Sequence, residues 1–129
     1  MQSHTELVKK FYELFKVHDM QSYMQMCDES IEWKVMDGMP EGGTFVGKTA
    51  AFDGYFPKML SHFEEFHAVP EQFFESGHSV IVLGRYTGVG KATGKSFESP
   101  FAHIYTIKDS RIVRFRQYAD TKAIHDALR

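Results

Sequence analysis

With 129 residues, 43% hydrophobic and 25% charged, the chain can remove roughly two thirds of its unfolded surface from water as one domain over 1–129, without staples. A formal charge of −2 and the lack of a Lys/Arg run exclude a nucleic-acid surface and an anionic-membrane surface, since both need clustered cations. A single cysteine, Cys27, excludes an intrachain disulfide framework and any cysteine-rich metal site.

Ser3 and Glu6 stand in capping-box spacing, and Leu7, Val8, Phe11, Tyr12, Leu14 and Phe15 follow at helical intervals, which predicts a first helix to about His18. Asp19 can cap a second short helix with Met20, Tyr23, Met24 and Cys27 on its apolar side, and Cys27 is read there as buried packing. "SIEWKVM" alternates Ile31, Trp33 and Val35 against Glu32 and Lys34, the period of a half-buried strand, and "DGMPEGGT" breaks it. In "KTAAFDGYFPKMLSHF" the recurrence of Phe52, Phe56, Leu60 and Phe63 predicts a third helix. Pro57 should kink it or divide it into two shorter helices, since an interior proline costs about 3 kcal/mol. Four segments rich in aromatic and β-branched residues follow, "FHAVPEQFFE", "SVIVLGRYTGV", "SFESPFAHIYTI" and "RIVRFRQYA", joined by the short links "SGH", "GKATGK" and "KDS". Short links force antiparallel neighbours. A last helix, "TKAIHDALR", has Asp120 at its cap position.

The N-terminal "MQSHTELVKK" has charges where a signal peptide carries its apolar run. No segment approaches the roughly 20 apolar residues of a membrane span, so a cytoplasmic location is expected. Helices gathered on one face of a mostly antiparallel sheet define an α+β fold, and a curved sheet wrapped around N-terminal helices can leave a hollow that accepts a small hydrophobic ligand. The 12 Phe, 6 Tyr and 7 Met fit either the lining of such a hollow or an aromatic core.

Within "SPFAHIYTI", His103 shares an alternating face with Phe101, Tyr105 and Ile107, all pointing toward the presumed interior. An imidazole can accept or donate a proton near neutral pH and is oriented when a carboxylate holds one nitrogen, and Asp120 lies one hairpin away. Alternation, however, places Asp120 in phase with Tyr118, Arg116 and Arg114, so an inward Asp120 requires a bulge or a bend in the last strand. The alternative is that Asp120 only caps the final helix and His103 is a hydrogen-bonded core residue. Trp33 is the other candidate, either a broad cavity wall or a core-packing residue, and its N–H needs a partner. Arg85 in "LGRYTG" reads as a solvated strand position, "GVGKATGK" as a hairpin turn, and the remaining histidines show no metal-ligand spacing.

Trp33, "GMPEGGTFVGK" and the stretch "VIVLGRYTGVGKATGKSFESPFAHIYTIKDSRIVRFRQYADT" resemble the SnoaL-like, ketosteroid-isomerase-related branch of the nuclear-transport-factor-2-like superfamily. The resemblance spans nearly the whole chain. It implies a cone-shaped α+β barrel of cystatin-like or ketosteroid-isomerase-like type, with a deep apolar pocket and a homodimer formed through the outer sheet face. In the polyketide-cyclase members a pocket histidine and a late aspartate act as the acid/base pair of an aldol ring closure, and His103 and Asp120 match them; no metal or organic cofactor takes part there. Two departures are visible. Val35 and Phe11 stand where steroid isomerases carry a base aspartate and a helix tyrosine, with Asp37 and Tyr12 only nearby. Of the Asp, Arg, Asp group of the epoxide-hydrolase relatives only Arg85 and Asp120 have counterparts. The resulting expectation is a cofactor-independent isomerase, cyclase or dehydratase for a small hydrophobic carbonyl compound. His103 and Asp120 would be catalytic, and Trp33, Phe101, Tyr118, Tyr12 and Phe56 would contact substrate. The rival is a non-catalytic ligand-binding or protein-association module of the same fold.

Overall fold

The computed structural model describes residues 3–129. The capping box at its start is formed, with Ser3 Oγ accepting the Glu6 N–H at 3.1 Å and the Glu6 carboxylate accepting the Ser3 N–H at 3.3 Å. Helix α1 (His4–Lys16) stops just before His18, which takes a left-handed φ of 60°, and Asp19 caps α2 (Met20–Gln25). Cys27 opens strand β1 (Cys27–Val35) instead of closing α2, yet it is fully buried, and burial pushes its thiol pKa up to about 12.

One strand escapes the sequence pattern. Beginning at the end of the stretch read as a break, Gly43–Val46 forms β2, which folds back antiparallel on β1 with Trp33 opposite Phe45. Four residues, the first of them a glycine, are too short to show a period. The third helix divides as Pro57 demands, into a π-helical turn, Thr49–Tyr55, and α3 (Phe56–Leu60), where Pro57 occupies the first turn and its missing N–H goes unneeded. The predicted strands are β3 (Phe63–Ser76), β4 (Ser79–Gly90), β5 (Ser96–Lys108) and β6 (Arg111–Ala119), and α4 (Thr121–Ala127) follows.

The six strands run in the order β2-β1-β6-β5-β4-β3, antiparallel throughout except for the parallel pair β1–β6. The curved sheet carries α1 against β3 and β4, and α4 against β5. The β5–β6 turn places Asp109 and Ser110 at φ 52° and 62°, the two positive values of a type I′ hairpin, without using glycine. Just beyond it the pairing slips. Ile107 faces Ile112 but Thr106 faces Arg114, so Val113 is an extra residue, and from there Phe115 and Gln117 turn inward while Arg114 and Tyr118 turn to solvent. The bulge required by the arginine phase therefore exists, but at the opposite end of β6 from Asp120. Among the described residues, no helix is long and apolar enough to cross a membrane.

Candidate functional site

Between the concave sheet and the helices lies a cavity of about 40 Å³. At roughly 10–15 Å³ for each water, that is room for about three or four water molecules. Its wall is aromatic, and the lining residues that carry a polar ring or amide group are tyrosines, His103, Gln117 and Trp33. Each is placed by strand phase or helix face: Trp33 by β1, Tyr86 by β4, His103 and Tyr105 by β5, Gln117 by β6 and Tyr12 by α1.

His103 is 3% exposed and both ring nitrogens are occupied. Tyr12 Oη lies 2.6 Å from Nδ1 and Tyr86 Oη 2.6 Å from Nε2. The direction of the protons follows from the far end of the network. The Met36 backbone N–H can only donate, and it donates to Gln117 Oε1 at 3.4 Å, which turns the amide nitrogen toward Tyr86. Gln117 Nε2 donates to Tyr86 Oη at 3.0 Å, so Tyr86 spends its own hydrogen on His103 Nε2. Nδ1–H then donates to Tyr12 Oη. The Tyr12 hydrogen is left for the neighbouring Tyr105 hydroxyl or for a ligand oxygen.

Burial sets the ionisation of this relay. It lowers the His103 pKa well below the ordinary imidazole value and raises those of Tyr12, Tyr86 and Tyr105 above the ordinary phenol value, so every member is neutral near pH 7. Packing fixes the imidazole as well. Phe101 stacks on it at 3.8 Å between centroids, and the Phe101 ring in turn lies over Gly84, where a Cβ would come within 2.8 Å of Phe101 Cζ and 2.2 Å of the Val69 carbonyl. The glycine in "LGRYTG" is thus part of the support for His103.

Trp33 stacks on Phe115 at 3.9 Å and meets Phe52 and Phe56 edge-on. Its Nε1–H is buried and has no hydrogen-bond partner among the described residues. An orphaned donor of this kind costs about 1–3 kcal/mol.

The expected His103–Asp120 couple does not form. Asp120 is exposed and its carboxylate caps α4, accepting the Ala123 N–H at 3.3 Å; it follows Arg116 and Tyr118 on the outer face because β6 alternates undisturbed after Val113. Tyr118, 41% exposed, is likewise turned away from the cavity. Phe101 stands behind the imidazole and outside the lining, whereas Tyr12, Trp33 and Phe56 do line the cavity with His103. Arg85 lies on the outer face, paired with Glu98 at 3.1 Å and Glu71 at 3.7 Å. Asp37 is exposed. Among the described residues no carboxylate lines the cavity and no group of three His, Cys, Asp or Glu side chains could hold a metal ion.

Residues 8–115 match the family model described as SnoaL-like domain. The chain belongs to the SnoaL-like domain family. YesE of Bacillus subtilis strain 168 is 26% identical to this SnoaL-like domain over 127 residues, 95% of this chain and 85% of that protein. Among solved structures, an NTF2-like protein from Burkholderia thailandensis E264 superposes with a TM-score of 0.94 at 29% identity, covering 100% of this chain and 99% of that one. IdmH from Streptomyces antibioticus, a proposed polyketide cyclase, shares the fold at 14% identity with a TM-score of 0.84, over 98% of this chain and 99% of that one.

Sequence reasoning missed two members of this SnoaL-like domain's relay, Tyr86 and Gln117. Tyr86 could have been found by phase, because Val80, Val82 and Tyr86 share one face of β4. Gln117 shares a phase with Phe115 opposite the arginines, so its face was legible but its partner was not: counted from the Lys108–Arg111 turn without a bulge, His103 faces Arg116, and only the extra Val113 brings Gln117 opposite it.

Proposed function

We propose that this SnoaL-like domain is a cofactor-independent acid/base enzyme that enolises a small hydrophobic carbonyl compound. The carrying observation is the buried imidazole bonded through both nitrogens to tyrosine hydroxyls on the wall of an aromatic cavity. A neutral relay suits a neutral reaction. With a ligand carbonyl on Tyr12, the Tyr12 hydrogen passes to the carbonyl oxygen, Nδ1–H passes to Tyr12, the Tyr86 hydrogen passes to Nε2, and a hydrogen α to the carbonyl passes to the Tyr86 oxygen. The C–H electron pair becomes the enol double bond and the carbonyl π pair takes the proton. The imidazole exchanges tautomers, and no charge is left in an environment that would penalise it. Return of the proton to a different carbon is isomerisation; attack of the enol on a second carbonyl of the same molecule is cyclisation. In this reading Trp33 and Phe56 hold the apolar body, and Asp120 is a helix cap.

Deuterium uptake α to the carbonyl, followed by NMR across a panel of cyclic ketones and β-dicarbonyl compounds, tests the reading directly. Wild-type protein should accelerate exchange, and Tyr12→Phe and His103→Gln should each remove about 100-fold or more of the acceleration while remaining folded by circular dichroism. Exchange that survives both substitutions would falsify the relay. The small resting volume and the lack of a lining carboxylate among the described residues favour a second reading, a non-catalytic small-ligand module. Saturable binding without exchange would select it.

A further inference from the structure

Every ring that packs on the Trp33 indole among the described residues is a phenylalanine: Phe115 at 3.9 Å, Phe56 at 5.3 Å, Phe52 at 5.4 Å and Phe11 at 6.2 Å. None of these rings offers a hydrogen bond to a water on Nε1, where a buried water ordinarily makes two to four, roughly three on average. An acceptor carried on an apolar molecule has no such shortfall, because its body fills the space among the rings while its oxygen takes the single N–H. His103 meets the same Phe115 ring edge-on at 4.8 Å. Trp33 and His103 thus pack on one shared ring, and both border one cavity.

Resting on the proposed enolising site, we infer that its ligand carries two hydrogen-bond acceptors on one apolar frame, a carbonyl for Tyr12 and a second oxygen that takes the Trp33 Nε1–H. The substrate class narrows accordingly to dicarbonyl or oxygenated carbonyl compounds. Trp33 becomes a specificity-determining residue: a site built to satisfy a buried donor discriminates against the analogue that leaves the donor empty.

The chain has one tryptophan, so its indole N–H gives one unambiguous cross-peak in a ¹⁵N-labelled sample. Cyclohexanone and cyclohexane-1,4-dione, nearly the same shape with one and two acceptors, are titrated into wild-type protein and Trp33→Phe, with affinities read from the ligands' own NMR signals. The dione should move the indole proton downfield in a saturable way and bind about tenfold more tightly than the monoketone, and Trp33→Phe should erase that preference. An indole signal that does not respond to bound dione, as when a water already occupies it, overturns the inference, as does equal preference in Trp33→Phe or a lack of saturable binding by either probe. The wild-type signal alone decides the matter if Trp33→Phe does not fold. Absence of α-deuterium exchange together with a responding indole defeats only the enolisation reading; exchange with a silent indole defeats only this one.

Discussion

Replacing His103 with glutamine should change how stability depends on acid more than it changes stability itself. In the folded chain the imidazole is buried between two tyrosine hydroxyls and its pKa is lowered well below the ordinary value of 6.5 by burial; in the unfolded chain it returns to about that value. The unfolded state thus binds one more proton as soon as pH falls through 6.5, so the contribution of the neutral imidazole is fully present above about pH 7.5 and is lost as pH falls toward the depressed folded value. One proton is worth about 1.4 kcal/mol per pH unit, which integrates to about 2 kcal/mol between about pH 7.5 and about pH 5. The glutamine amide also offers one donor and one acceptor but does not titrate. The other six histidines are common to both proteins, so they cancel in the difference. Urea unfolding followed by Trp33 fluorescence should show the wild-type unfolding free energy falling with acidification by about 2 kcal/mol more than that of His103→Gln between about pH 7.5 and about pH 5. Parallel curves would mean that His103 takes up its proton in the fold as readily as in the unfolded chain, and a wild type that gains on the variant in acid would mean a protonated imidazole in the fold; either result would make the neutral relay wrong.

Three further outcomes follow from the same physics. Burial raises the phenol pKa of Tyr12, Tyr23, Tyr55, Tyr86 and Tyr105, so their stabilisation is intact below about pH 10 and lost above it, at about 7 kcal/mol per pH unit for five protons. Tyrosinate absorbance should rise together with loss of structure, whereas stepwise ionisation of the folded chain would contradict their burial. Asp120→Ala should cost about 1 kcal/mol of stability, the worth of an N-cap, and leave α-deuterium exchange unchanged; a 100-fold loss of exchange would restore the carboxylate as the base. Ser110→Gly removes a side chain from a left-handed position and should raise the melting temperature by about 2–5 °C, the equivalent of about 0.5–1 kcal/mol. An unchanged or lowered melting temperature would argue against the type I′ turn.

Local chemistry in the sequence determined most of the architecture. Ser3, Asp19 and Asp120 are caps because their side-chain oxygens satisfy helix N–H groups within three residues, a relation that needs nothing from the rest of the chain. Pro57 divided the third helix for an equally local reason, and alternation placed Trp33 and His103 inside. What surrounds His103 was decided elsewhere. A single extra residue at Val113 exchanged Arg116 for Gln117 opposite the imidazole, and the packing of α1 across the sheet delivered Tyr12 from 91 positions away. Periodicity tells which face a side chain occupies; which atoms meet on that face depends on register and on helix docking, and both are set by the whole core closing together.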